Sequence, residues 1–143
     1  MPVVDASVAL RVVTEGPHSD RARALWSHWD EAGERLVAPP IFWPEVTNGI
    51  WRPVYLRRMT LDLGERSFQA ARDLGVQIVD HEDLYPRTWQ MLHETNLPAA
   101  YNCCYLALAQ LLGLDLWTAD ERLYHAVRGK FSWVKSLVTD APA

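Results

Sequence analysis

The chain has 143 residues, of which 49% are hydrophobic and 22% charged, and its formal net charge is −4. These figures exclude disordered and fibrous classes, and they exclude a surface that coats nucleic acid through a global positive field. No apolar run approaches the ~20 residues of a membrane-spanning helix, and the opening Met-Pro-Val-Val-Asp-Ala-Ser lacks the basic start of a secretory signal.

The length predicts one domain over residues 1–143, large enough to bury its own core. The only two cysteines, Cys103 and Cys104, are adjacent and cannot cross-link distant segments, which points to a reducing, cytoplasmic setting. Seven tryptophans are expected as core and interface anchors.

In chain order, residues 2–5 read as a short buried strand, followed by a helical turn or two over Val8–Val13 that ends at Glu15-Gly16-Pro17. Ser19 is the expected N-cap of a helix to about Gly33, with Leu25, Trp26, Trp29 and Ala32 on one stripe. Leu36-Val37-Ala38 is a second strand closed by Pro39-Pro40. Phe42, Val46, Ile50 and Val54 recur at fours, which predicts a helix over 41–59 with a kink at Pro53. Thr60 caps a helix to Leu74 with Gly75 behind it, and 76–79 is a third strand. Helices are expected over 82–96 and 99–112, the latter closed by Gly113. A strand over 114–118, a helix over 121–127 and a last strand over 131–134 complete the pattern.

Short apolar strands alternating with helices predict an α/β fold with a mostly parallel sheet, in which ligands collect outside the carboxyl ends of the strands. Asp5 and Asp120 both follow strands and so share that edge. Glu45 lies beside the apolar stripe of its helix, and Asn102 opens the most apolar helix of the chain. Each residue alone is as readily structural; Asp120, for instance, suits the N-cap of the helix after it. Together they form an oxygen-only donor set. Clustered carboxylates repel and call for a cation, and oxygen ligands suit Mg²⁺ or Mn²⁺. The chemistry such a site supports is phosphodiester hydrolysis.

Four segments in order carry a family resemblance: Val-Val-Asp5-Ala-Ser7, Pro-Glu45-Val-Thr-Asn, Tyr101-Asn102-Cys103-Cys104-Tyr105, and Leu-Trp-Thr118-Ala-Asp120-Glu-Arg-Leu. The chain resembles PIN domains, and among them the VapC-type toxin ribonucleases of bacterial and archaeal toxin–antitoxin pairs. The resemblance implies a PIN-like three-layer fold with a five-stranded sheet flanked by helices. It also implies a metal-dependent endoribonuclease that leaves a 5′-phosphate and a 3′-hydroxyl. Asp5, Glu45 and Asp120 match the family's metal-binding acids, and Ser7 and Thr118 match the hydroxyl residues beside them. An RNA substrate, a cognate antitoxin and a homodimer are implied as partners.

The family's third acid falls in a Tyr-Asp-Ala element, where this chain has Asn102. One unit charge at ~4 Å from an ion is an interaction of up to about 4 kcal/mol at an effective dielectric near 20. An amide there weakens cation binding. Three readings stand side by side: a natural variant of weaker or Mn²⁺-preferring activity, a substitution that silences a toxic enzyme, and a PIN module that no longer cuts and only binds RNA or a partner protein.

The five histidines form no zinc spacing with the cysteines. Arg52, Arg57, Arg58, Arg66 and Arg72, interleaved with Trp51 and Tyr55, suit either an RNA path or a solvated face paired to Asp62, Glu65 and Asp73. The resemblance also implies a dimer surface and an antitoxin groove, for which the Trp-rich helices 19–33 and 41–59 are the candidates.

Overall fold

The structure is a computed structural model that describes residues 1–142. Its elements in chain order are β1 (Val3–Val4), α1 (Ala6–Val13), α2 (Ser19–Glu31), β2 (Val37–Ala38), α3 (Phe42–Tyr55), α4 (Leu61–Asp73), β3 (Gln77–Ile78), α5 (Leu84–Thr95), α6 (Ala100–Leu112), β4 (Leu116–Thr118), α7 (Glu121–Val127) and β5 (Val134–Ser136). All the strand pairs are parallel and the sheet order is β3-β2-β1-β4-β5. The expected α/β class and five-stranded sheet are therefore what the chain forms.

This order positions the site. From β1 the chain winds outward to β2 and β3, then crosses back to build β4 and β5 on the other side. Strand order reverses between β1 and β4, and in open parallel sheets that reversal leaves a crevice at the carboxyl ends. Val3 pairs with Leu116 and Val4 with Trp117, so Asp5 comes level with Thr118. The Asp5 N–H donates to the Trp117 carbonyl at 3.1 Å.

The packing follows from the same apolar runs. β1 and β4 are wholly buried, as strands covered on both faces must be. In α6 every residue from Cys103 to Ala109 is buried, and a helix apolar all round belongs inside. Trp26 meets Trp29 edge to face at 5.8 Å, and Trp29 meets Trp117 likewise at 5.7 Å. Gly49 lets α3 lie against α1: a β-carbon there would collide with the Leu10 side chain.

Several expected boundaries move. The cap of α2 is His18, in the left-handed region at φ 65° and without a side-chain hydrogen bond. Ser19 is already helical, and its hydroxyl donates back to the Thr14 carbonyl at 2.7 Å. Helix α3 ends at Tyr55 rather than 59 and Pro53 sits in its last turn. The Arg58 and Met59 N–H groups both donate to the Pro53 carbonyl, which folds the chain off the helix there. The last strand begins at Val134, where the sequence pattern had ended it, because register with Leu116–Thr118 selects Val134–Ser136.

Candidate active site

Asp5 ends β1 and caps α1. Its Oδ1 accepts from the Ser7 N–H at 3.0 Å, the Val8 N–H at 3.3 Å and the Ser7 hydroxyl. Only 4% of the residue is exposed. Burial dominates and pushes its carboxyl up to about 6; bonds from Ser7, Thr118 and Val8 pull it down, and the nearby Glu45 charge adds to the rise. A carboxylate that stays poorly solvated despite three local hydrogen bonds gains more than an exposed one from a cation beside it.

Glu45 reaches the same space from the first turn of α3. Phe42, Val46 and Ile50 bury the adjacent stripe of the helix, so Glu45 is half-buried rather than solvated. Desolvation raises its carboxyl above the ordinary range, and a bond from Tyr105 works against that rise. The Tyr105 hydroxyl donates to Glu45 Oε1 at 2.6 Å. Burial first, then the Glu45 and Asp5 charges, hold the Tyr105 phenol far above its usual value, so it remains a donor. The sequence reading placed Tyr105 only among the apolar residues of its helix. The available signal was its spacing: Asn102 and Tyr105 are three apart and share one face of α6. Asn102 is partly exposed one turn before Tyr105.

Asp120 follows β4 at the same sheet edge and caps α7, its Oδ1 accepting from the Arg122 N–H at 3.0 Å and the Leu123 N–H at 3.2 Å. Its own N–H donates to the Thr118 hydroxyl oxygen at 3.0 Å. The Ser7 hydroxyl, which donates to Asp5, accepts from the Ala119 N–H at 2.8 Å. Ser7 and Thr118 thus tie the ends of β1 and β4 together across the crevice.

Asp5, Glu45 and Tyr105 form one electrostatically linked group, and Asp120 is anchored beside it. Among the described residues no set of three His, Cys, Asp or Glu side chains lies close enough to enclose a metal ion. Two carboxylates with raised proton affinity, flanked by hydroxyl and amide oxygens, nevertheless fit a hard divalent cation. Mg²⁺ in particular keeps several waters and is commonly held by one or two carboxylates plus a substrate phosphate.

Elsewhere, Cys103 and Cys104 are free and buried. Of the middle arginines, Arg66 pairs with Asp62 at 2.5 Å and Arg72 lies over the Trp43 ring at 5.6 Å, which accounts for these two as surface contacts. Trp26 and Trp29 face the core, so α2 does not present a tryptophan surface. Exposed apolar groups instead gather at Trp51, Tyr55 and Leu56 from α3 and its end with Leu61 and Leu63 of α4, and at Tyr85 and Trp89 of α5 with Tyr101 of α6. No helix among the described residues is long and apolar enough to cross a membrane.

Comparison with known proteins places this geometry. The chain is 36% identical over 123 residues to a VapC ribonuclease of Mycobacterium bovis and equally to ribonuclease VapC9 of Mycobacterium tuberculosis, covering 86% of this chain and 88% of each relative. Its fold matches a chain of a toxin–antitoxin complex from Klebsiella pneumoniae, with TM-score 0.65, 19% identity and 96% and 98% of the two chains covered. It also matches a Pyrobaculum aerophilum protein, with TM-score 0.69, 20% identity and 96% and 90% covered. The PIN domain family model spans residues 3–129. A parallel sheet that opens beside β1, acids delivered there by β1, α3 and β4, and a family match along nearly the whole chain lead to one conclusion: this chain belongs to the PIN domain family.

Proposed function

We propose that the chain is an endoribonuclease, the toxin component of a toxin–antitoxin pair, hydrolysing RNA phosphodiester bonds at the Asp5–Glu45 crevice. The observation that carries the reading is the convergence on one sheet edge of a buried Asp5 and a half-buried Glu45, both with raised proton affinity. Its support from relatives is the 36% identity to VapC ribonucleases over most of the chain. PIN ribonucleases are in general dependent on divalent metal.

In this reading Asp5 and Glu45 would hold Mg²⁺ or Mn²⁺ directly, with Asp120 contributing through water. When bound, the ion supplies charge to polarise the phosphate and acidify an attacking water. The chain's own residues do the positioning. Ser7 and Thr118 fix the Asp5 carboxylate, Tyr105 orients Glu45 and keeps its own proton, and Asn102 offers a neutral oxygen to a water. An uncharged Asn102 leaves the site one carboxylate short, which predicts a slower enzyme. A PIN module that binds RNA or a partner without cutting is the second reading, favoured by that same residue.

The partners follow from the surface. Thr47, Ile50, Trp51, Val54, Leu61 and Phe68 line an apolar groove between α3 and α4 that suits an antitoxin helix, each anchor repeating at helical spacing. The protein is proposed to act in the cytoplasm as a single domain and a homodimer.

The test is cleavage of a fluorescent RNA panel in Mg²⁺, Mn²⁺ or EDTA by the parent, by Asn102→Asp and by Asp5→Ala. Metal-dependent cleavage by the parent, abolished in Asp5→Ala, is the expected result. Restoring the acid with Asn102→Asp is expected to raise the rate by roughly 10-fold or more, the usual scale for a metal-site ligand or its support. Cleavage only after Asn102→Asp identifies an intact scaffold silenced at one position. A parent and an Asn102→Asp variant that both leave every RNA intact while binding it support the second reading.

A further inference from the structure

Beside the acidic edge, a cleft runs between α1 and α7. Its walls include Ser7 and Arg11 from α1, His18 before α2, and Asp120 and Arg122 at the start of α7. Ser7 is shared with the candidate active site, since its hydroxyl donates to Asp5. The cleft is therefore continuous with the crevice.

Two of the residues that line this cleft are arginines. Of the half-buried Lys and Arg side chains other than Arg11, Arg87 pairs with Glu94 at 3.0 Å and Arg23 with Glu15 at 2.7 Å, while Lys135 has no ion pair among the described residues. Neither Arg11 nor Arg122 is ion-paired among the described residues. Arg11 is the sharper case. Its Nη1 donates to the Ser7 carbonyl at 3.3 Å, while its Nε is buried with no hydrogen-bond partner. Burying a guanidinium donor without an acceptor costs free energy unless something else is gained. The contact with Ser7 holds Arg11 one helical turn from the residue that fixes Asp5.

The carboxylates of this wall are already engaged. Asp120 caps α7, and Glu121 accepts from the Ser136 hydroxyl at 2.5 Å and lies 3.3 Å from His125. Both keep their charge, but neither lies within ion-pair distance of Arg11 or Arg122, so the two guanidinium groups keep donors available to an anion. An anion entering the cleft would find one planar cation from α1 and another from the start of α7, with Asp120 at the shared edge.

We propose that this cleft holds the RNA backbone next to the scissile bond, with Arg11 and Arg122 gripping phosphates from its two walls. The inference rests on the ribonuclease reading and adds to it the direction in which the strand leaves the site. Arginine suits the task because its rigid fork matches phosphate oxygens bidentately. It also explains how a chain of net charge −4 holds a polyanion: the grip is local, two arginines beside the chemistry, rather than a global field.

The test is binding of a short fluorescein-labelled single-stranded RNA of mixed sequence, followed by anisotropy in EDTA across a series of KCl concentrations. The variants are Arg122→Ala, Arg11→Lys and Arg11→Ala, with Arg35→Ala as a charge-matched control. Arg35 precedes β2 and so lies at the opposite edge of the sheet. Arg122 is exposed, so its removal leaves folding intact, and Arg11→Lys keeps both the charge and most of the half-buried stem that Arg11→Ala removes from α1.

The expected result is weaker binding by roughly 5- to 10-fold for Arg122→Ala and for Arg11→Ala, less for Arg11→Lys, and no change for Arg35→Ala. Each lost phosphate contact also lowers the slope of log affinity against log salt by about 0.7 for a single strand. If the parent binds RNA and the Arg122 and Arg11 variants match it in affinity and slope, the cleft proposal is overturned while the ribonuclease reading stands. A parent that neither binds nor cuts RNA overturns both. Equal weakening by Arg35→Ala would reduce the effect to net charge and equally remove the cleft.

Discussion

Asp5 is the buried carboxyl of the candidate site, and its burial sets a pH dependence. Burial lifts it from the ordinary 3.8 to about 6, so the folded chain binds this proton more tightly than the unfolded chain does. The sign follows directly. Ionised Asp5 opposes folding above pH 6; as pH falls through 6 the opposition fades, and below 3.8 its protonated form gives its full stabilisation. The gap corresponds to roughly 3 kcal/mol at the outside. In chelator, Asp5→Asn is therefore expected to be more stable than the parent well above pH 6, with the difference closing toward pH 4. Denaturant titrations of both proteins across that range read it out, and parallel curves would refute the burial argument. Adding Mg²⁺ is expected to stabilise the parent and leave the variant unmoved, because only an ionised Asp5 gains from the cation.

The same residue shows what local sequence can and cannot disclose. That an Asp after Val3-Val4 would cap a helix at the sheet edge was readable from its neighbours. That it would hold its proton was not, because the desolvation comes from β4, α3 and α6 folding over it.

Among the elements, helix ends were legible where the capping side chain acts within a few residues. Thr60 accepts from the Leu63 N–H at 3.1 Å and Gly113 takes the left-handed φ of 67° that closes α6, both as their positions suggested. Replacing Thr60 by Ala leaves that donor unsatisfied and is expected to cost about 1 kcal/mol, seen as a lower denaturation midpoint with an unchanged m-value. Ser19 shows the limit of the same logic. A good capping residue lost the position to His18 because its hydroxyl found the Thr14 carbonyl instead, a contact fixed by the turn through Gly16 and Pro17. The last strand was misplaced for a similar reason: Phe131 to Val134 is as apolar as a strand requires, but pairing with β4 chose the residues after it.

For the molecule as a whole, the distribution of aromatic groups decides what is left for partners. Trp26, Trp29 and Trp117 are spent on the core, whereas Trp51 is 53% and Tyr55 70% exposed. An apolar groove left open between α3 and α4 favours an occupant by removing that surface from water. Trp51→Ala is expected to keep the parent's melting temperature and to weaken capture of the co-expressed antitoxin by at least 10-fold, as an interface anchor does on truncation. Loss of fold, or undiminished capture, would each contradict the groove assignment.

What the sequence determined by itself was the alternation of apolar strands and amphipathic helices, hence the α/β class, and the positions of the acids relative to their own elements. These depend on interactions spanning a few residues, which periodicity and capping chemistry expose. Only the tertiary structure decided that Glu45 and Tyr105, 60 positions apart, share a hydrogen bond. It likewise decided that α2 turns its tryptophans inward, and that the Arg11 Nε is buried without a hydrogen-bond partner. Those outcomes turn on desolvation and on partners from distant strands, and a chain acquires both only when the sheet closes around β1.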